Sequence, residues 1–166
     1  VIEDGDIVGV DIGLVREGWY ADSAETMRVG GVSPEVERLC RVTEQALTDG
    51  IAACRPGNHL VDVARAIEPH ARENGYGLVE SMAGHGIGRD LHEDPQVFNH
   101  ECFDHPNLEL EVGMVLALEP MFNLGTGKVR VTGDEWTIVT MDGKWSAHFE
   151  HTVAITEDGP RVLTAR

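Results

Sequence analysis

The stretch from Gly84 to Pro95, GHGIGRDLHEDP, constrains the fold more than any other part of the chain. Glycine recurs at every second position of its first five residues, and each glycine costs about 1 kcal/mol of helix propensity. We therefore expect a shaped loop here rather than a helix. The stretch carries His85 between two glycines and His92 seven residues later. Histidine is the commonest metal ligand and a proton-transfer group near neutral pH, so the stretch is a candidate functional site.

The chain has 166 residues, of which 42% are hydrophobic, and this suffices for one domain with a hydrophobic core. We expect a single domain over residues 1–166. No apolar run approaches the roughly 18 residues of a membrane span, and the start of the chain lacks the pattern of a signal peptide. We therefore expect a cytoplasmic protein with no membrane partner. The three cysteines form no CxxC pair, and we do not expect a disulfide framework.

The charge balance is strongly acidic, with 13 basic against 29 acidic residues and a formal net charge of −16. Such a chain repels phosphate backbones, which argues against a nucleic-acid partner. With so many acids, most are expected to be solvated surface charges. Only acids within apolar strands are therefore informative about function.

Two aspartates occur in a predicted hairpin near the start of the chain. Asp6–Gly13 and Tyr20–Val29 read as strands, because β-branched residues recur with a period of two. With a four-residue turn between the strands, Asp11 lies directly opposite Asp22. Like charges opposite each other are destabilising, and a cation between them would reverse that effect. A register slip of one residue would instead leave two unrelated aspartates.

Two helices are predicted as scaffold. The first starts at Ser33 and Pro34, which have the chemistry of an N-cap and a first helical position, and runs for about 20 residues. The second covers Val61 to Glu73 and stops at Asn74-Gly75. Neither helix carries a recognisable site.

Two glutamates interrupt otherwise apolar strands. Glu119 lies in GMVLALEPMF and Glu150 in SAHFEHTVAIT. A lone ionised carboxylate in such a setting costs several kcal/mol unless it is paired, hydrogen-bonded or bound to a metal. The pattern therefore favours a functional role for both.

The candidate set contains four carboxylates and one imidazole: Asp11, Asp22, His85, Glu119 and Glu150. Oxygen-rich ligation with one nitrogen suits Mn²⁺, Fe²⁺, Co²⁺ or Zn²⁺, and no cysteine belongs to the set. Four clustered carboxylates carry a charge of −4, which two divalent ions neutralise and one does not. A pair of metal ions is typical of hydrolases.

These residues in this order, with GHGIGRDLHEDP, MVLALEP and SAHFEHT, closely resemble the type I methionine aminopeptidases of the creatinase-like "pita-bread" metallopeptidases. The resemblance covers essentially the whole chain. It implies an α+β pita-bread fold, with a curved antiparallel sheet and helices on its outer face. It also implies hydrolytic removal of the N-terminal methionine from nascent proteins at a dinuclear divalent-metal centre.

The same resemblance implies roles for individual residues. The five candidate ligands would bind the metal pair, and Glu119 would also act as the proton shuttle. His92 would contact the scissile carbonyl and stabilise the tetrahedral intermediate. Trp136 would line the pocket for the methionine side chain. Leu91 departs from the pattern, because an aromatic residue is expected before the second histidine.

The resemblance also implies a catalytic domain that extends well upstream of Asp11. We therefore expect a chain that is truncated at its N-terminus and that leaves an apolar face of the Asp11–Asp22 hairpin open to water. For full turnover it would need the missing N-terminal segment, in the same chain or as a second chain.

Two other functions remain open at this point. A proline-specific Xaa-Pro aminopeptidase or dipeptidase would share the fold, but we would expect its second glutamate in an Arg-x-Glu-Asp setting rather than in Phe149-Glu150-His151-Thr152. A non-catalytic binding module could also use the fold. Intact ligands argue against such a module, since it has no reason to keep four costly buried acids.

Overall fold

The computed structural model of the chain describes residues 1–165. These residues form two helices, α1 (Pro34–Ala53) and α2 (Leu60–Asn74), and twelve strands. The strands are β1 (Ile7–Arg16), β2 (Trp19–Arg28), β3 (Gly77–Leu78), β4 (Gly84–Gly86), β5 (Glu93–Val97), β6 (Val115–Leu118), β7 (Met121–Asn123), β8 (Val129–Val131), β9 (Ile138–Thr140), β10 (Ser146–His148), β11 (His151–Thr156) and β12 (Gly159–Val162). Neither helix is long and apolar enough to cross a membrane.

The strands form two larger sheets and two ribbons. One sheet has the order β12-β11-β6-β4-β5 and the other the order β10-β7-β3, while β1-β2 and β8-β9 are two-stranded. The pairs within the described residues are antiparallel, as the α+β prediction requires. Helix α1 packs against β10, β12, β7 and β6, and α2 packs against α1 and β3. The core between helices and sheets includes the fully buried Leu39, Ile67, Leu116 and Phe122.

The helix ends follow from local chemistry, and both predicted helices are confirmed. The Ser33 hydroxyl accepts a hydrogen bond from the Val36 amide at 3.3 Å, so it caps α1. Gly75 ends α2 in the left-handed conformation, with φ of 71°. Where the helices cross, a Cβ on Gly50 would lie 2.7 Å from Ile67 Cδ1, so a larger residue here would require the Ile67 side chain to move.

The hairpin of β1 and β2 differs from the predicted register. Its turn has two residues, Glu17 and Gly18, with φ of 54° and 77°. Positive φ at both positions is typical of a type I′ turn, whose twist matches that of the strands. Asp11 consequently pairs with Ala24 rather than with Asp22. Asp22 lies two positions away on the same face, so the two aspartates are diagonal neighbours.

The stretch around His85 is a strand, which corrects the prediction of a loop. Strand β4 lies between β5 and β6 in the five-stranded sheet. A Cβ on Gly84 would lie 2.2 Å from the carbonyl oxygen of Ala117, and a Cβ on Gly86 would lie 2.2 Å from that of Asp94. The glycines are therefore needed because neighbouring backbone passes close to them, and not because they have positive φ.

Both embedded glutamates lie where a predicted strand is interrupted. Glu119 and Pro120 separate β6 from β7, and Phe149 and Glu150 separate β10 from β11. Proline has no amide hydrogen for the ladder, which accounts for the first interruption. The Phe149 amide donates to the Pro120 carbonyl at 3.4 Å, so the two interruptions lie side by side. At each of them the chain passes from one large sheet to the other.

Candidate metal centre

Asp22, His85 and Glu150 come together from β2, β4 and the interruption before β11. A ligand atom of each lies within 4.8 Å of those of the other two. All three are buried, with exposed fractions of 8%, 7% and 2%. Oε1 of Glu119 lies 3.7 Å from Nε2 of His85. The fold therefore collects three carboxylates and one imidazole in a small buried volume.

The backbone of Asp22 is held by a hydroxyl group rather than by a strand ladder. Thr152, fully buried on β11, accepts a hydrogen bond from the Asp22 amide at 2.9 Å and donates one to its carbonyl at 2.8 Å. Asp11, on the same face of the hairpin, is exposed. Burial, and next to it the charge of Asp11, raises the pKa of Asp22. The charge of Asp11 thus reaches the cluster from the side that faces solvent.

Glu150 is held through its backbone, which leaves its carboxylate available. Its amide donates to the Ala24 carbonyl at 2.8 Å, and its carbonyl accepts from the Ser23 hydroxyl at 3.0 Å. Within the described residues, Oε1 of Glu150 is buried and has no hydrogen-bond partner. Buried polar atoms are nearly always paired, so this oxygen calls for a ligand.

His85 presents one ring nitrogen to the carboxylates. Its Nδ1–H donates to the Gly86 carbonyl at 2.9 Å, which leaves the lone pair of Nε2 facing Glu119. Burial lowers the pKa of His85 and keeps the imidazole neutral. A neutral imidazole oriented by a carbonyl is the usual form of a metal-binding histidine.

The buried acids are electrostatically unfavourable without a counter-charge. Burial raises the pKa of Glu119 to about 8, with further contributions from Asp11 and Asp22. Burial and then the charge of Glu119 raise the pKa of Glu150 to about 9. A cation would reverse these shifts. The donor set and the unpaired oxygen of Glu150 therefore fit divalent metal ions of the Mn²⁺, Fe²⁺, Co²⁺ and Zn²⁺ group.

We expect chelator-treated protein to lose stability as the pH rises from 6.5 towards about 8, the pKa of Glu119. The unfolded glutamates titrate near 4.5, so in this window the folded state binds more protons than the unfolded state. The free energy of unfolding then falls with rising pH. Below 6.5 the lowered pKa values of His85 and His148 work in the opposite direction.

Chemical denaturation at several pH values, with EDTA and with excess Mn²⁺, measures this slope. Mn²⁺ at about 100 times its dissociation constant should add roughly 2.7 kcal/mol and flatten the slope, because it keeps the carboxylates ionised. A metal-free protein whose stability rises between pH 6.5 and 8, or one that Mn²⁺ does not stabilise, would contradict the electrostatic account of the cluster.

His92 lies beside this cluster on the exposed turn before β5. The centroid of its ring is 4.4 Å from that of His85. Oε1 of Glu93 accepts the amide hydrogens of Arg89 and Asp90 at 2.6 and 2.8 Å, which closes the turn. His92 is therefore exposed to solvent while its backbone is held next to the buried ligands.

Residues at the tip of the β1–β2 hairpin also contact the turn that carries His92. The Arg89 guanidinium lies 3.7 Å from the centroid of the Trp19 ring, and its Nη1 donates to the Gly18 carbonyl at 3.2 Å. The Tyr20 amide donates to the Gly88 carbonyl at 2.8 Å. The hairpin that carries Asp11 and Asp22 is thus connected directly to the turn that carries His92.

Trp136, assigned to the methionine pocket by resemblance, and Leu91, which departs from the family pattern, lie in different settings. Trp136 is 87% exposed on the turn between β8 and β9, where Asp134 accepts its amide hydrogen at 3.1 Å. Leu91 Cδ1 lies 3.4 Å from the position that a Cβ on Gly13 would occupy, and Asp22 Oδ1 lies 3.8 Å from the same point. Leu91 therefore packs beside the cluster. The role of Trp136 stays a prediction.

Sequence reasoning missed His148 and Thr152. Nε2 of His148 lies 3.8 Å from Oε2 of Glu119. Burial lowers the pKa of His148 to about 4, against an opposing effect of Asp22. In the sequence, strand alternation places both residues on the same face as Glu150, and this pattern could have identified them as candidates.

Known proteins resemble the chain over nearly its full length. Residues 1–157 match metallopeptidase family M24. A methionine aminopeptidase from Clostridium perfringens is 46% identical over 165 residues, which cover 98% of this chain and 65% of that protein. The crystal structure of a methionine aminopeptidase from Thermotoga maritima superposes with a TM-score of 0.95 at 43% identity, covering 100% of this chain and 66% of the other. A prolidase from Pyrococcus furiosus gives 0.78 at 25% identity, with 99% and 43% covered.

The matched length and the fold together define the family. The chain spans about two thirds of the length of the methionine aminopeptidases it matches, 65% and 66% in these two cases. The superposition with metallopeptidases of this kind confirms the predicted pita-bread fold. The chain belongs to metallopeptidase family M24.

Proposed function

We propose that the chain is a metalloaminopeptidase that removes the N-terminal methionine from nascent proteins in the cytoplasm. The observation that carries the proposal is the convergence of buried ligand atoms from Asp22, His85 and Glu150 within 4.8 Å, beside Glu119. Identities of 46% and 43% to methionine aminopeptidases support the reaction and the substrate.

We further propose that two divalent ions bind to Asp11, Asp22, His85, Glu119 and Glu150. Four carboxylates carry a charge of −4, so a single divalent ion would leave half of it uncompensated. The pKa values of Asp22, Glu119 and Glu150 are raised, first by burial and then by the charges of neighbouring acids, which supports a need for positive charge at this site. Co²⁺, Mn²⁺, Fe²⁺ or Zn²⁺ would suit the donor set.

Two of the chain's residues would carry out the proton and oxyanion chemistry. When bound, the ions would lower the pKa of a water and so provide a nucleophile near neutral pH. Glu119, beside the cluster with its side chain 13% exposed, would take the proton of the attacking water and pass it to the leaving amine. His92, exposed next to His85, would donate a hydrogen bond to the oxygen of the scissile carbonyl.

The face of the β1–β2 hairpin opposite Asp11 and Asp22 supports a further proposal about partners. It lines a groove of about 800 Å³ together with α1, and the exposed fractions of Ile12, Leu14 and Met27 are 58%, 54% and 49%. Exposed apolar surface of this kind usually marks an interaction site. We propose that another polypeptide segment, from the same chain or from a second one, covers this groove in the active protein.

The test is release of free methionine from a Met-Ala-Ser peptide with Co²⁺ or Mn²⁺ added, beside cleavage of an Xaa-Pro peptide. We expect methionine release that EDTA abolishes and that metal restores. The full-length relative from Clostridium perfringens, assayed alongside, sets the scale. We expect weaker turnover from the 166 residues, because the hairpin with two of the ligands has one uncovered face.

Three results would contradict parts of this proposal. Preferential cleavage of the Xaa-Pro peptide would favour a proline-specific enzyme, in line with the similarity to a prolidase. Tight metal binding without hydrolysis of either peptide, also after the groove is covered, would favour a non-catalytic binding module. Turnover equal to that of the full-length relative would contradict the need for a covering segment.

A further inference from the structure

His148 occupies a position that the five proposed ligands leave unexplained. It is the last residue of β10 and pairs with Met121 on β7, two residues beyond Glu119. Its side chain is 23% exposed overall, but Nε2 is buried and has no hydrogen-bond partner within the described residues. Burying a ring nitrogen without a hydrogen-bond partner costs free energy relative to its hydrated state. This nitrogen is therefore expected to bind a ligand.

The backbone of His148 is fixed as firmly as that of Asp22. The Thr26 hydroxyl donates to the His148 carbonyl at 2.8 Å and accepts from its amide at 2.8 Å. Thr152 makes the same pair of bonds to Asp22. Thr26 is itself buried, with 2% of its surface exposed, so these two bonds fix the position of the His148 backbone and the direction of its side chain.

The distance from His148 to Glu119 matches that of a proposed ligand pair. Nε2 of His148 lies 3.8 Å from Oε2 of Glu119, and Nε2 of His85 lies 3.7 Å from Oε1 of the same carboxylate. Both distances exceed the roughly 3.2 Å of a hydrogen bond. Two ligand atoms that share one ion at about 2.1 Å each lie roughly 3.0 to 3.6 Å apart, at bond angles between about 90° and 120°. On both sides of the Glu119 carboxylate, the nitrogen–oxygen distance is thus close to that between two atoms that bind one ion.

We propose that His148 is a further metal ligand, which supplies the proposed centre with a second imidazole nitrogen through Nε2. This inference rests on the proposed metal centre and adds a residue to it. His85 and His148 would then lie on opposite sides of the Glu119 carboxylate, one at each oxygen. A second nitrogen shifts the preference of the site from Mg²⁺ and Mn²⁺ towards Zn²⁺ and Fe²⁺.

The first experiment uses the unsubstituted chain and Zn²⁺ alone. Imidazole ¹⁵N NMR of the Zn²⁺-loaded protein distinguishes nitrogens that bind the metal from free and protonated ones. We expect metal-bound Nε2 signals from both His85 and His148. A metal-bound signal from His85 alone would overturn the role of His148 while leaving the proposed centre intact. Failure of the unsubstituted chain to bind Zn²⁺ would overturn both.

The second experiment compares His148→Gln with His151→Gln by calorimetric titration with Zn²⁺. His151, on β11, has its Nδ1 against the Thr164 hydroxyl, so its substitution controls for the loss of an imidazole near Glu150. We expect His148→Gln to bind Zn²⁺ at least about 10-fold more weakly, the lower end of what losing even an outer partner of a ligand costs. His151→Gln should bind Zn²⁺ as the unsubstituted chain does.

Equal Zn²⁺ affinity of His148→Gln and the unsubstituted chain would overturn the proposal. Comparable melting temperatures in EDTA establish that the variant is folded. If His148→Gln does not fold, the NMR measurement on the unsubstituted chain decides the question without a variant.

Discussion

Glutamine in place of Glu119 is expected to lower kcat for methionine release by about 100- to 10,000-fold, the range that a positioned general acid–base group contributes. The amide keeps the shape of the side chain but cannot take up a proton from water. Glu119 lies 3.7 Å from Nε2 of His85 and 3.8 Å from Nε2 of His148, so its carboxylate is placed among the proposed ligands, where the attacking water would bind. The amide also removes one negative charge from the proposed ligand set.

The measurement is kcat and KM on the Met-Ala-Ser peptide at saturating Mn²⁺, with the metal content of each sample determined. Glu73→Gln, a change of the same charge at an exposed position on α2, should leave both constants unchanged. A Glu119→Gln protein that holds metal and keeps kcat within a factor of three would show that another group moves the proton.

The helices could be predicted because their ends are determined locally. Ser33 caps α1 through its own hydroxyl, and Gly75 ends α2 in a conformation that glycine adopts at little cost. No contact distant in sequence is needed to place either boundary.

The hairpin register could not be read in the same way. It depends on a positive φ at Glu17, a residue type with no preference for that conformation. The shift by two residues left Asp11 and Asp22 on one face, because side chains alternate with a period of two. The inference of a shared cation between them is therefore unaffected by this two-residue shift.

The setting of the two glutamates was also only partly predictable. Their apolar neighbours indicated that ionised side chains at Glu119 and Glu150 would be energetically costly, and in the structure Glu150 is buried and the Glu119 side chain is 13% exposed. The interruption of two neighbouring strands at these positions depends on pairing between segments about thirty residues apart, which no local pattern encodes. Strand alternation places His148 on the face of Glu150, but its approach to Glu119 exists only across this junction.

The two histidines of the GHGIGRDLHEDP stretch are expected to respond differently to removal. His85 is buried, and its Nδ1–H bond to Gly86 directs Nε2 towards the carboxylates, so we expect His85→Ala to weaken metal binding by more than about 10-fold. His92 is exposed, and we expect His92→Ala to retain metal while kcat falls by about 100- to 1,000-fold, the scale of one lost oxyanion donor.

Metal titration and steady-state kinetics on both variants separate the two roles, with His105→Ala as the control for an exposed imidazole outside the cluster. The rings of His85 and His92 are 4.4 Å apart, so a general disturbance of the turn would affect metal affinity and kcat together in both variants. If the two histidines have distinct roles, His85→Ala loses metal affinity, whereas His92→Ala loses kcat and retains metal. Loss of metal in His92→Ala with metal retained in His85→Ala would mean that the exposed histidine is the ligand and the buried one serves the substrate.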